Sequence, residues 1–170
     1  MTELDRTDVR ILEVLQADGR LTNVELAQRV GLSETPCLRR VRRLEQEGVI
    51  SRYAAVVEAR KVGLGLLAFV QITLERHRDA DADAFKDAVM SHPEVVACWL
   101  MTGAYDFLLQ IVAPDMDSYA DFVLHRLLRM PGVKDVSSSF ALQAVKPPSA
   151  LPLEHLRGVE GASPRQPGSR

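Results

Sequence analysis

The sequence predicts an α+β protein in two parts, an N-terminal winged helix-turn-helix and a C-terminal ferredoxin-like βαββαβ sandwich. Three observations carry that prediction. Residues 21–48 hold two short helical patterns separated by a glycine-marked turn. A short β-branched run, Val49 to Val57, follows at once, as a strand or wing does. From residue 67 onward the apolar residues recur with strand and helix periods in the order βαββαβ.

The first helix starts at Asp5, followed by Asp8, with Ile11, Leu12 and Leu15 on one face and Gly19 at its stop. In the second, Thr22 and Glu25 have the spacing of a capping box, and Leu21 and Leu26 that of its hydrophobic staple. Gly31 supplies the left-handed residue that ends this helix. Ser33 is the expected cap of the third helix, and Pro36 falls in its first turn, where no intrahelical N–H is lost. Gly48 closes it. The expected core of this unit is Leu4, Ile11, Leu15, Leu26, Val30, Val41 and Leu44.

The faces of the third helix point towards function. Cys37, Val41 and Leu44 recur at i, i+4 and i+7 and form its inward stripe. Thr35, Arg39, Arg42 and Arg43 lie roughly opposite, with Arg40 at the edge. Four arginines in five positions on a short helix fit a recognition helix, whose first residues meet base edges while its arginines meet guanines or phosphates. A solvated charged face is the ordinary alternative for an isolated Arg-rich helix. The preceding helix, the turn and the two caps weigh against it here.

Residues 59–66 read as a linker between a DNA-binding domain, 1–58, and a second domain, 67–146. Gly63-Leu-Gly65-Leu-Leu-Ala68 has the outline of a dinucleotide fingerprint, but that motif needs a helix after it and residues 67–74 read as a strand. A helix from about Asp81 to Met90 follows, then strands over 95–101 and 107–112 joined by the turn Thr102 to Asp106. A second helix spans 116–130 with Tyr119, Phe122, Val123 and Leu127 inward. Pro131-Gly132 breaks it, and a last strand spans 133–145. Helices then cover one sheet face. Leu67, Phe69, Leu109 and Ile111 are assigned to the other, which is too apolar to stay in water and calls for a partner subunit. Residues 147–170, rich in Pro, Gly, Ser and Arg, are expected to be a disordered tail.

The totals fit an ordinary globular protein, with 46% hydrophobic and 26% charged residues. A net charge of −2 argues against indiscriminate coating of nucleic acid but allows one positive patch. Cys37 and Cys98, without CxxC spacing, suit a reducing cytoplasm and suggest neither a disulfide framework nor a zinc site. No apolar run approaches the ~20 residues that span a bilayer. The charged N-terminus is unlike a signal peptide. A cytoplasmic location without membrane attachment is the expectation.

Catalysis finds little support. His77, His92, His125 and His155 are scattered, with no nucleophile or metal-ligand partner near them in sequence. Asp79, Asp81 and Asp83 alternate like the start of an EF-hand loop. Ala84 and Met90 occupy the glycine and bidentate-acid positions, so helix capping explains these carboxylates better. No catalytic or metal-binding residues and no cofactor are expected. The turn Thr102-Gly103-Ala104-Tyr105-Asp106 has two readings. Turn chemistry alone accounts for it, with Gly103 at positive φ and Asp106 bonding its own backbone. The other reading is a small-ligand pocket in which backbone N–H groups take a carboxylate and Asp106 takes an ammonium.

Taken together, the blocks Leu4-Asp5 with Asp8 and Ile11-Leu12, Asp18-Gly19-Arg20 and Asn23-Val24-Glu25-Leu26-Ala27 resemble the leucine-responsive and asparagine-responsive (Lrp/AsnC) transcription regulators. So do Val30-Gly31-Leu32-Ser33, Thr35-Pro36-Cys37 and Arg40-Val41-Arg42-Arg43-Leu44-Glu45, then Gly103 with Asp106, Pro114-Asp115-Met116 with Tyr119, and Pro131-Gly132-Val133. The resemblance covers roughly residues 4–146. It implies a homodimer that often assembles to tetramers, octamers or larger rings, duplex DNA as partner, and an effector, usually an amino acid, bound near the hairpin turn at contacts between dimers. On that basis Ser33, Thr35, Pro36, Arg39, Arg40 and Arg43 are the expected DNA-binding residues. Thr102, Gly103, Tyr105 and Asp106 are the expected effector residues, with hydroxyls from Ser137, Ser138 and Ser139 of the final strand. Many members carry an acidic residue where this chain has Ala104, which leaves the effector's identity open. The competing reading is a ferredoxin-like metabolic ligand-binding module or enzyme without DNA function, since that fold hosts many activities.

Overall fold

The computed structural model describes residues 3–75 and 79–161, with the backbone alone for residues 79–81 and 158–161. The chain divides into two units, residues 3–56 with 146–161, and residues 57–145.

The first unit is built on α1 (Arg6–Ala17), α2 (Asn23–Val30) and α3 (Glu34–Gln46). Each start has a local cause. At α1, Asp5 Oδ1 accepts from the Asp8 amide at 2.8 Å and Asp8 Oδ2 accepts from the Asp5 amide at 3.1 Å, a complete capping box. At α2, Thr22 Oγ1 accepts from the Glu25 amide and Glu25 Oε2 from the Thr22 amide. Gly31, at φ 74°, ends α2 in the left-handed region that a side chain would disfavour. Ser33 occupies the cap position of α3 but its hydroxyl makes no capping bond, contrary to the sequence expectation. The start of α3 is held from α2 instead, where Asn23 Nδ2 donates to the Glu34 carbonyl at 2.9 Å.

Ile11, Leu12, Leu26, Ala27, Val30, Cys37 and Leu44 form the buried core of this unit. Leu4, Leu15 and Val41, expected inside, pack at its margin. Val49 and Ile50 join that margin, but residues 51–58 form no strand; Val56 is fully exposed. A strand is stable only with a ladder partner, and the described residues offer this stretch none.

The tail departs from its expected disorder as far as it is described. Leu153 packs on the three-helix core, and Gln16 exchanges two hydrogen bonds with the Leu151 backbone, accepting at 2.6 Å and donating at 3.3 Å. Arg157 pairs with Glu13. Leu151, Leu153 and Leu156 line an open groove of about 310 Å³ together with Leu4, Leu12, Leu15, Ile50 and Tyr53. Composition alone missed these three leucines because their partner surface is assembled from elsewhere in the chain.

The second unit is a four-stranded antiparallel sheet in the order β2-β3-β1-β4, where β1 is Leu66–Leu74, β2 Val95–Leu100, β3 Phe107–Ala113 and β4 Val133–Phe140. With α4 (Asp79–Met90) and α5 (Met116–His125) it gives the βαββαβ order. Ala68, Val70, Ile72 and Leu74 alternate inward on β1, and Phe107, Leu109, Ile111 and Ala113 on β3, against Phe85, Val89, Tyr119, Phe122 and Leu127. Leu109 and Ile111, assigned from sequence to the uncovered face, are thus wholly buried beneath the helices. The pairings Leu67↔Val112, Phe69↔Gln110 and Gln71↔Leu108 place those residues on the opposite face. α5 ends earlier than expected, at His125, and a 3₁₀ turn over Leu127–Arg129 replaces its last turn. β4 stops at Phe140, opposite Ala68, instead of running to Val145, because β1 supplies little more ladder beyond that pair. Among the described residues no helix is long and apolar enough to cross a membrane.

Candidate nucleic-acid interface and effector turn

Consecutive residues on α3 begin three stripes at i, i+4 and i+7, each turned by about 100° from the next. The stripe Cys37, Val41 and Leu44 faces the core; Cys37 and Leu44 are fully buried, and burial pushes the Cys37 thiol up, away from reactivity. The stripe Pro36, Arg40 and Arg43 flanks it. The stripe Thr35, Arg39 and Arg42 lies almost opposite the core, and all three are exposed. Leu38, also exposed, borders it.

The sequence expected Arg40 and Arg43 to divide base and phosphate contacts; the structure engages both elsewhere. Arg40 Nη1 lies 2.6 Å from Asp5 Oδ2 and 2.9 Å from Asp8 Oδ1, and Arg43 Nη2 lies 2.5 Å from Asp8 Oδ2. The Asp8 side chain is 1% exposed, so its charge requires partners. Burial raises the Asp5 carboxyl pKa, but hydrogen bonds from the Asp8 amide and the Arg40 guanidinium outweigh it and hold the group below its ordinary value. The hydrogen bonds to Asp5 and Asp8 in turn raise the pKa of Arg40. Two carboxylates that also build the cap of α1 therefore clamp one stripe of α3. Arg39 and Arg42 enter no ion pair among the described residues. Arg42, already placed on the outer face by its helical phase, belongs with Arg39 rather than outside the candidate set.

Ser33 is exposed, as is Thr35, and Pro36 is half-buried. The Ser33 carbonyl accepts from the Cys37 amide at 3.2 Å while its hydroxyl points to no capping partner. The beginning of α3 thus presents two hydroxyls beside an arginine stripe, a set that can meet base edges and phosphates.

The hairpin turn between β2 and β3 is pinned at its base. The Met101 amide donates to the Asp106 carbonyl at 2.8 Å, and the Asp106 amide to the Ile72 carbonyl at 2.8 Å. Asp106 Oδ2 accepts from the Leu74 amide at 2.8 Å, so the carboxylate secures the end of β1, not its own turn backbone. Thr102 and Gly103 are exposed at the tip, with Gly103 at φ 120°, and Tyr105 is half-buried. The candidate serines are not gathered at this turn. β1 lies between β3 and β4, and Ser137 and Ser138, as neighbours on a strand, face opposite sides of the sheet. Ser138 accepts from the Tyr119 hydroxyl at 2.5 Å on the helix side; Ser137 pairs in register with Gln71 on the open side, as Ser139 does with Phe69.

Among the described residues no group of His, Cys, Asp or Glu is arranged to hold a metal ion. His77 lies outside the described residues, and the side chains of Asp79 and Asp81 likewise.

Comparison with known proteins places each unit. Residues 4–51 match a winged helix-turn-helix DNA-binding family and residues 67–151 the Lrp/AsnC ligand binding domain. The chain is 46% identical over 144 residues to the leucine-responsive regulatory protein of Rhizobium meliloti, covering 85% of this chain and 92% of that one. It is 43% identical over 152 residues to the protein of that name from Escherichia coli K12, covering 89% and 93%. Among solved structures, a transcriptional regulator from Neisseria meningitidis in complex with L-Met is 46% identical with a TM-score of 0.85, over 90% of this chain and 99% of that one. An AsnC family regulator from Agrobacterium tumefaciens is 38% identical with a TM-score of 0.83, over 89% and 99%. A DNA-binding unit and a ligand-binding unit in one chain, both matched across most of their length, make this protein a member of the Lrp/AsnC family of transcriptional regulators.

Proposed function

We propose that this regulator reads duplex DNA with the outer stripe of α3 and senses an amino acid at the turn between β2 and β3. The observation that carries the first part is the free, exposed stripe of Thr35, Arg39 and Arg42 beside the uncapped Ser33 hydroxyl. Ser33 and Thr35 set the register at the start of the helix, where Pro36 fixes the backbone. Arg39 and Arg42 take guanine edges or phosphates; a bidentate arginine–guanine pair contributes about 1–3 kcal/mol of discrimination. Two such helices in a dimer suit a pseudo-palindromic site.

Support for the second part is the ligand-binding family match and the L-Met complex of the Neisseria regulator. Thr102, Gly103 and Tyr105 offer backbone N–H groups and side chains at the tip, and Asp106 holds the turn against β1. Ser137 and Ser138 contribute on opposite faces, so at most one of them shares a given ligand with the turn. The open sheet face, with Leu67, Phe69, Leu108 and Val112, is the dimer surface, and larger rings form from dimers. The protein works in the cytoplasm.

A thermal-shift screen of the twenty amino acids identifies the effector, because a ligand that binds only the folded state raises the melting temperature. A DNA gel-shift titration with that amino acid then tests Asp106→Ala, which should retain DNA binding and lose the response. A normal response in the variant removes the turn from the site. The effector's influence is a coupling of typically 1–3 kcal/mol and is reciprocal, so DNA must shift effector affinity by the same factor. Light scattering that finds a stable monomer at micromolar concentration removes the sheet-face dimer.

A further inference from the structure

We propose that Asp8 is a positioning residue for DNA specificity: it holds Arg40 and Arg43 off the phosphates, so that of the arginines on α3 those of the outer stripe, Arg39 and Arg42, meet DNA. The inference rests on the reading of α3 as the DNA-facing helix and goes beyond it by assigning opposite tasks to its two arginine pairs.

The geometry is specific. Asp8 is the only charged residue among the described ones that is fully buried, and it sits under α3, not on it. Its two oxygens are divided between the two arginines, Oδ1 taking Arg40 Nη1 and Oδ2 taking Arg43 Nη2, while Asp5 Oδ2 takes the same Nη1 of Arg40. Two guanidinium groups and two carboxylates share the hydrogen bonds of this cluster. Arg43 Nε, buried and without a hydrogen-bond partner, lies 4.0 Å from Glu47 Oε2. Arg40 and Arg43 nevertheless keep 28% and 41% of their side-chain surface, so they are close enough to solvent to swing outward once the clamp is removed.

Phosphate contacts are blind to sequence and dominate non-specific affinity. A helix with four free arginines grips any duplex; one with two free arginines depends more on matched base edges. Restraining Arg40 and Arg43 therefore sacrifices total affinity for discrimination. The same clamp fixes the rotation of α3 about its own axis, because a turn that brought Arg40 towards DNA would strip Asp8 of its partners.

The test measures binding of the full chain across a salt series. One probe is a duplex that the wild-type protein selects from a random pool, and the other is an unselected duplex of the same length. Each arginine that gains a phosphate steepens the slope of log K against log salt by about 0.9. Asp8→Asn should steepen the slope on unselected DNA by about one to two per protomer and lower the selected-to-unselected ratio at least tenfold. A folded Asp8→Asn protein with the wild-type slope overturns the proposal. If that variant does not fold, Arg40→Gln decides. It leaves Asp8 paired with Arg43 and should keep the wild-type slope, whereas a slope shallower by about one shows Arg40 on a phosphate and overturns the proposal. Arg39→Gln, run in parallel, should flatten the slope by about one. If it does not, the reading of α3 as the DNA-facing helix fails, separately from the role of Asp8.

Discussion

The two units solve the problem of burial differently. Among the described residues the sheet unit has fourteen buried in its core, all apolar apart from the Tyr119 hydroxyl, which is satisfied by Ser138. The helical unit has seven buried core residues and, beside them, a fully buried carboxylate tied to two arginines. An apolar core is tolerant of repacking and indifferent to orientation, whereas a buried ion pair is poor as a source of stability and strict about geometry. The helical unit, whose α3 we propose to meet DNA at a defined rotation, is the one that contains the buried charge. Among the described residues, the unit that supports a sheet buries no charge.

The largest effect expected from that contrast is at Asp8. Asp8→Ala removes two charge-assisted hydrogen bonds and one arm of the α1 capping box, while Arg40 keeps Asp5, and should destabilise the helical unit by about 3–5 kcal/mol. Ile111→Ala, a cavity in the sheet unit, should cost a comparable or slightly smaller ~2–5 kcal/mol, but elsewhere. Denaturant titration separates them, because Trp99, the single tryptophan, lies on β2. Ile111→Ala should shift the fluorescence transition, and Asp8→Ala the circular dichroism transition of the helices with little change at Trp99. A fluorescence shift of equal size in both variants breaks the comparison.

Next in size is the hydrogen bond from the Leu74 amide to Asp106. Asp106→Ala leaves that amide without its side-chain acceptor and should cost about 1–3 kcal/mol, read by the same Trp99 signal. Leu153→Ala tests whether the tail segment belongs to the helical core. About 1–2 kcal/mol should be lost from the helical transition alone, towards the lower end for a half-buried leucine. Removal of residues 151–170 should have at least the same effect.

Smallest are the two effects of pH. Asp5 has its pKa lowered on folding, so its contribution is present above the ordinary value of 3.8 and fades as pH falls through the lower folded value. Asp5→Asn should therefore flatten stability against pH below about pH 4. Tyr53 has the opposite sign. Burial and its bond to Glu45 raise its pKa to about 12, so its contribution is present below pH 10 and is lost as pH rises towards 12. Tyr53→Phe should abolish that alkaline loss, and because Tyr53 is half exposed the change stays well under the full linkage value.

Several elements were legible because their causes are local. Asp5 with Asp8, Thr22 with Glu25, and Gly31 act within three or four residues, so the helix starts and the turn follow from spacing. The stripe Cys37, Val41 and Leu44 follows from the helical period. The order βαββαβ follows from alternating apolar residues. In the candidate site, the identity of α3 as the arginine helix was legible for the same reason, as was the glycine turn at 102–106.

Other features depended on which distant surface each residue meets. The helical period separates Arg40 from Arg39 by 100°, but it cannot say that α1 brings Asp8 under the first, while the second has no ion pair among the described residues. Leu109 and Ile111 alternate in sequence as well as Leu108 and Gln110 do, and only the β1 pairing and the helices above decide which set is inside. Leu153 reads as part of a proline-rich tail until a groove built by α1 and Ile50 receives it. Local spacing determines which elements form and what each can present. Long-range packing determines which face is spent on the protein itself and which is left exposed, because burial and charge pairing are properties of two surfaces and the sequence writes down only one at a time.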